Sequence, residues 1–277
     1  MRYRVKNGFT DIVAYIFLIV LALICALPFY SMLISATHSN AELASGMPLT
    51  IGTSLFANYQ ELVRLTSIWR WFFNSLLIAL PATFLAGYVG SLTAYGFAKF
   101  TFRGHKVLFW VVMSTMMIPA QVALLGLFQL SKIYGLLNTY WPLILPAAVS
   151  GTSVFWMRSA IESNIDSALL EAARIDGCGE LHIFHRIVLP LVKPAFATIS
   201  IINFVGFWNN YLGPLIILNT DKKYPMALGI AVIKGMEVLN WGVLYTAIAI
   251  SVIPIMLVFS LLSKHIIGGL TMGSVKG

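Results

Sequence analysis

Residues 171–190 read EAARIDGCGELHIFHRIVLP, about twenty residues carrying Glu171, Arg174, Asp176, Glu180 and Arg186 in a chain that is otherwise mostly apolar. Its local chemistry predicts a short exposed helix. Asp166 and Ser167 are good N-cap residues, Ala168 to Ile175 are mostly strong helix formers, and Asp176-Gly177 supplies a left-handed stop. Such a helix has only two or three turns, roughly 12–15 Å, which is too short to hold its shape alone in water. It needs a surface to lie on. Leu169, Ala172 and Ala173 fall at i, i+3, i+4 and predict a small apolar face, with Glu171 and Arg174 free to pair or to reach outward.

Around this island the chain is membrane-like. Of 277 residues, 59% are hydrophobic and 10% charged, and the mean hydropathy is +0.86, far from the composition of a soluble domain. Six runs free of Asp, Glu, Lys and Arg, at 12–41, 71–98, 107–131, 133–157, 194–220 and 238–263, each hold at least 25 residues, where about 20 suffice to cross the hydrocarbon core. One charge at the centre of a membrane helix costs about 2.5–3.5 kcal/mol on insertion scales, so six clean runs are not accidental. The expectation is an all-α membrane protein of one domain, with spans at about 12–36, 72–97, 107–131, 136–157, 194–219 and 242–263. A loop at 158–193 and a tail at 264–277 complete it.

With six spans, twelve of the 18 Lys and Arg residues fall on the side of the termini and of the Glu171 loop, and six on the other. The positive-inside rule then predicts both termini and that loop in the cytoplasm. The net charge of +8 is accounted for by this topology, and no compact basic patch with interleaved aromatics points to nucleic acid. The basic N-terminus ahead of an apolar run has the look of a signal peptide, but the run continues to about Ala36, longer than a cleavable core of about 7–15 residues. It reads as an uncleaved first span.

The 171–190 stretch resembles, without a gap, the cytoplasmic loop signature of permease subunits of bacterial ABC importers: Glu171-Ala172-Ala173, three residues, Gly177, nine residues, Ile187, one residue, Leu189-Pro190. The resemblance implies a type I permease fold and a coupling helix, with Leu169, Glu171, Ala172, Ala173, Arg174, Asp176 and Gly177 as the residues that meet a cytoplasmic ATPase. Many sugar-importer permeases carry Ile-Pro where this chain has Ile165-Asp166, a departure at the start of the helix that leaves the docking residues alone. The glycine-rich tail Gly268–Gly277, the Phe-x-Trp-Asn-Asn region around Trp208 and the segment lengths are similar to the shorter permease of maltose and multiple-sugar importers. That implies a second homologous permease making a heterodimer, two ATP-binding subunits, an extracytoplasmic sugar-binding protein, and a place in the bacterial inner membrane. It also implies that the tail reaches between the ATPases.

No chemistry in the chain itself contradicts a passive conduit. There is no Gly-x-x-x-x-Gly-Lys-Ser/Thr phosphate loop, so ATP and Mg are expected in the partner ATPase and no cofactor in this chain. The spans hold no acidic residue to relay protons or bind sodium, which argues against a secondary transporter, and no paired Asp or His-Glu zinc set for an intramembrane enzyme. No catalytic or metal residue is expected. His182 and His185 lack further ligands nearby, and Cys25 and Cys178 lie too far apart in the topology to pair.

Two further stretches bear on cargo. In the fifth expected span Ser200, Asn203, Phe207 and Asn210 share one face, with Trp208 beside it. Amides with aromatic rings suit a sugar, while Ser and Asn in a membrane helix also serve simply to bond neighbouring helices. A neutral saccharide, an oligosaccharide by the resemblance, is preferred over a glycerol phosphoester or polyol, because no Arg or Lys lies in a span to meet phosphate. At the outer surface Trp69, Trp71, Phe72 and Phe73 read as an aromatic belt. Prolines in every expected span, at positions 28, 81, 119, 142, 146, 214 and 254, mark each as a candidate for bending.

Overall fold

The computed structural model describes the backbone at residues 8–236 and 239–272, and side chains at 11–236 and 239–263. Every regular element among the described residues is helical. Three helices are long and apolar enough to cross a membrane: α1 (Gly8–Ser35) from Asp11 onward, α4 (Ile68–Lys99), and α15 (Trp241–Met272) as far as Ser263. Two further helix pairs would each cross as one bent span. Between α1 and α4 lie two short helices, α2 (Asn40–Ser45) and α3 (Leu55–Leu65).

The prolines divide into two classes. Pro28, Pro81 and Pro254 sit inside continuous helices. Pro119 stands between α5 (His105–Ser114), extended by a 3₁₀ turn to Met117, and α6 (Ala120–Ile133), where the axis turns by 101°. Pro142 and Pro146 break the fourth expected span altogether: a single turn α7 (Trp141–Ile144), a 3₁₀ segment Leu145–Val149, and then α8 (Gly151–Asn164), whose start is capped by Ser150 accepting from the Ser153 amide. Two prolines four residues apart remove two backbone donors from one stretch, so no continuous helix can form there. The fifth expected span is also shortened. Helix α12 (Lys193–Trp208) ends before Asn209, and α13 (Leu212–Ile217) resumes after the Asn210 side chain has accepted a bond from the Gly213 amide.

The chain divides into two compact units. One runs to Thr66 and takes in Val232–Ile250. There Asn58 donates to the Ala36 and His38 carbonyls, Trp241 N–H donates to Asn40, and a crevice of about 370 Å³ is lined by Met47, Pro48, Trp241 and Tyr245. The other unit holds Ser67–Ala231 and the chain from Ser251 onward, and α4 is its axis. A buried stripe of small residues on α4, Ala79, Ala82, Ala86, Gly87, Gly90 and Ala94, lets α8 and α12 approach closely. At Gly90 the fit is so tight that a Cβ would stand 2.6 Å from the Ser153 Cβ. Asn203 of α12 donates to Ser153 Oγ at 3.0 Å, tying α12 to α8.

The start of α4 corrects the aromatic-belt expectation at one position. Trp69 and Phe73 are exposed, but Trp71 is 2% exposed and donates to the Asp221 carbonyl. With Asn74, which donates to the Lys222 and Tyr224 carbonyls, and Ser75, which accepts from the Met226 amide at the start of α14 (Met226–Lys234), it clamps the turn at Asp221–Lys223. These backbone groups, left free by a turn, are satisfied by side chains 150 residues away.

At the other end of the chain, α15 continues through Met272, so Gly268 and Gly269 of the expected tail are helical. Residues 273–277 of that tail, and Arg2, Arg4 and Lys6 of the basic N-terminus, lie outside the described residues.

Candidate functional site

The charged loop folds as the capping residues dictate. Helix α9 (Ser167–Ile175) begins at Asp166, whose carboxylate accepts from the Ala168 amide at 3.1 Å. It ends in a Schellman motif: Gly177 adopts φ +82°, its amide donates to the Arg174 carbonyl at 3.0 Å, and the Cys178 amide donates to the Ala173 carbonyl at 3.0 Å. The Asp176-Gly177 stop is therefore a formed structure, and no Cβ is present to oppose the left-handed backbone.

The inner face of α9 is Leu170, 1% exposed, and Ala173. They join Met157, Ile161 and Ile165 of α8 and its cap, Ala94 and Tyr95 of α4, and Phe184 and Val188 in one apolar cluster. Burying Leu170 alone is worth roughly 1.5–3 kcal/mol, and the cluster is the surface that so short a helix needs. The expected apolar face is accordingly split: Ala173 points inward with Leu170, while Leu169 and Ala172 point outward.

Outward-facing α9 is unusually apolar for a surface helix. Ile175 is 86% exposed and Leu169 45%, with Ala168 and Ala172 between them, and Glu171 and Asp176 exposed beside them. Glu171 makes no ion pair among the described residues, because Arg174 is engaged elsewhere: its Nε donates to Glu180 Oε1 at 2.6 Å and its guanidinium lies 5.5 Å from the Phe100 ring. Arg174 holds the Glu180 carboxyl below the usual carboxylate range, helped by the Tyr95 hydroxyl, and Glu180 in turn raises Arg174. An apolar strip beside two free carboxylates can do no bond-making chemistry, but it can be covered by another protein.

After Gly177 the chain passes through a turn of helix, α10 (Glu180–Ile183), a π-helical stretch Phe184–Val188 and α11 (Leu189–Leu191), then bends by 81° into α12. Ile187 and Leu189 of the signature pack on the same apolar cluster. His185 is not arranged for a metal: its Nδ1 meets the Leu181 carbonyl at 2.6 Å and its Nε2 the Tyr88 hydroxyl at 2.9 Å. No group of three or more metal-binding side chains occurs among the described residues.

The five residues singled out for cargo are in different surroundings. Trp208 is 1% exposed, stacked on Phe204, edge-on to Phe72, and bonded through its indole N–H to the Ser251 carbonyl at 3.0 Å. Ser200 Oγ donates back to the Phe196 carbonyl, Asn203 to Ser153, and Asn210 caps α13. Phe207 is partly buried against Ala82, Ala86 and Ala147. Asn203 and Trp208 thus bond across to other helices, while the Ser200 and Asn210 side chains bond within their own stretch of chain. Residues that sequence reading passed over are Leu170, Tyr95, Lys99 and Glu180. Leu170 was within reach, since it stands three before Ala173. Tyr95 and Glu180 are 85 residues apart and meet only through the fold.

A family model described as binding-protein-dependent transport system inner membrane component matches residues 86–271. The chain belongs to that family. This permease is 35% identical to the arabinooligosaccharides transport system permease protein AraQ of Bacillus subtilis over 95% of its own length and 94% of the relative's. It is 32% identical to the polygalacturonan/rhamnogalacturonan transport system permease protein YtcP of the same organism over 98% and 100%. With the lactose transport system permease protein LacG of Rhizobium radiobacter the identity is 31% over 100% of each chain. The fold matches a chain of a bacterial ABC transporter involved in the import of the acidic polysaccharide alginate, with a TM-score of 0.81 at 23% identity over 96% of this chain and 99% of that one. The protein is thus a transporter subunit of the inner membrane and not an enzyme, and ATP is hydrolysed by a separate subunit.

Proposed function

We propose that this permease passes a neutral oligosaccharide across the inner membrane, taking it from an extracytoplasmic binding protein and driven by two cytoplasmic ATPases through α9. The observation that carries a saccharide cargo is the end-to-end similarity to permeases of arabinooligosaccharide, polygalacturonan/rhamnogalacturonan and lactose systems, of which the arabinooligosaccharide and lactose ones have neutral sugars in their names. The spans support it, since they offer no Arg or Lys to a phosphate. In this reading the chain crosses six times with both termini in the cytoplasm, the broken segment Trp141–Asn164 making the fourth crossing. A second, homologous permease completes the pathway.

The outward strip of α9 lies in a groove of the ATPase, with Leu169, Ala172 and Ile175 as the apolar contact and Glu171 and Asp176 as the charged one. Glu171, Ala172, Arg174, Asp176 and Gly177 then have distinct tasks: the first two and Asp176 touch the partner, and Arg174 and Gly177 keep the helix in place. ATP closes the ATPase pair, α9 is carried with it, and the cavity opens outward. Hydrolysis resets it.

The test is gentle purification of the tagged chain with mass spectrometry of what elutes stoichiometrically, repeated for Glu171→Lys. The expected result for the native chain is a second permease and an ATPase. Glu171→Lys is expected to insert in the membrane, lose the ATPase and lose uptake. Recovery of the chain alone, or normal uptake by the variant, would refute the assignment.

A further inference from the structure

Helix α9 is flanked by two non-helical joints, Ile165-Asp166 on one side and Gly177-Cys178-Gly179 on the other. Its buried contact through Leu170 and Ala173 is apolar and non-directional, so by itself it would let the helix roll or slide when pulled. Directional bonds are needed to turn a pull on α9 into movement of a membrane helix.

Such bonds are present, and all come from one side of α4. Tyr88, Tyr95 and Lys99 are spaced seven and four residues apart, one face of a helix. Lys99 Nζ donates to the Ile165 carbonyl at 2.5 Å, just before α9. Tyr88 meets His185 at 2.9 Å, well after it. Between them the Tyr95 hydroxyl donates to Glu180 Oε2 at 2.6 Å, while Glu180 Oε1 accepts from Arg174 of α9 at 2.6 Å. One carboxylate thus bridges the two helices. Tyr95 is itself held, 3% exposed, with its ring against Phe100 and Phe184.

We propose that Tyr95, Glu180 and Arg174 form a latch that makes α9 and the adjoining end of α4 one mechanical body, so that displacement of α9 is delivered to α4. The inference rests on α9 being the docking helix, and goes beyond it by naming the residues that carry the force inside the permease. They are positioning residues: they touch neither cargo nor nucleotide. Bridging by a charged group makes the latch stiff, since charge-assisted hydrogen bonds are shorter and stronger than neutral ones.

The experiment uses the complete transporter, with its partner permease, ATPases and binding protein, reconstituted in lipid vesicles. Sugar taken up and ATP hydrolysed are measured together. Glu180→Gln removes the charge, and Tyr95→Phe removes only the hydroxyl and keeps the ring packing. Both are expected to retain the ATPase on purification and to keep binding-protein-stimulated hydrolysis. Sugar moved per ATP should fall by up to about fivefold, the weight of one partly solvated charged hydrogen bond. The exchanged pair Arg174→Glu with Glu180→Arg should recover coupling relative to either single change, which a merely structural role would not require.

An unchanged sugar-to-ATP ratio in Tyr95→Phe and Glu180→Gln overturns the latch. Should Glu180→Gln fail to assemble, Tyr95→Phe decides alone. Failure of the docking reading looks different: Glu171→Lys and Leu169→Asp, outside the latch, would then leave the ATPase bound.

Discussion

Gly177 offers the sharpest test of the local physics at the loop, because geometry separates the two ways a substitution could do harm. A Cβ built on Gly177 meets nothing within 4 Å, so the cost of a side chain there lies in the backbone and not in a clash. With φ at +82°, an L-residue pays about 1–2 kcal/mol to enter the left-handed region, least for Asn and most for a β-branched residue. If the left-handed turn is abandoned, the bonds from the Gly177 and Cys178 amides to Arg174 and Ala173, both 3.0 Å, go with it, at about 1 kcal/mol each. The expected order of stability at the end of α9 is therefore Gly, Asn, Ala, Val. Hydrogen exchange of the peptide spanning 167–178 in the purified permease reads it directly, with about tenfold loss of protection for each 1.4 kcal/mol. Asn should stay within about threefold of the native chain, while Val should lose ten- to a hundredfold and abolish uptake. Equal protection in Asn and Val would refute the dihedral argument. Equal damage by Asn, Ala and Val in the assembled transporter would refute it too, by showing that space and not φ is limiting.

Two other outcomes follow from the packing and charge. Gly90→Ala should lower the thermal midpoint of the purified permease, by about 1–3 kcal/mol of overpacking, since its Cβ would press on Ser153; Gly96→Ala, where nothing lies within 4 Å, should be neutral or slightly stabilising. Equal midpoints would remove the close α4–α8 approach from the account. The Glu180 carboxyl is held below its ordinary range by Arg174, so its contribution is complete above the unfolded carboxylate value near 4.3 and is lost as pH falls through the lower folded value. The pair is partly solvated, at 35% and 40% side-chain exposure, which limits that contribution to about 1 kcal/mol or less. Melts of the native chain and Glu180→Gln should thus differ at pH 7 and draw together only as pH falls below the ordinary carboxylate range; a constant gap would refute the linkage.

What the sequence determined by itself is what short-range chemistry controls. Capping residues and a glycine stop defined α9 nearly to the residue, because a two-turn helix is bounded by groups within three positions of its ends. Long uncharged runs fixed an all-helical membrane chain, because the bilayer excludes charge whatever the tertiary arrangement. The spacing from Glu171 to Pro190 marked the family.

Tertiary structure decided the rest. Whether Pro119 bends a span by 101° while Pro81 leaves one intact depends on what surrounds each, since a freed carbonyl costs little where a neighbour satisfies it. Ala173 turned inward with Leu170 because α8 and α4 supply an apolar wall there, and helical spacing around Leu169 could not say which side that wall would be on. Trp71 and Trp208 lie buried, with their indole N–H groups bonded to the Asp221 and Ser251 carbonyls, 150 and 43 residues away. The bridge from Tyr95 to Glu180 exists only once α4 and the loop lie side by side, so no local pattern announces it.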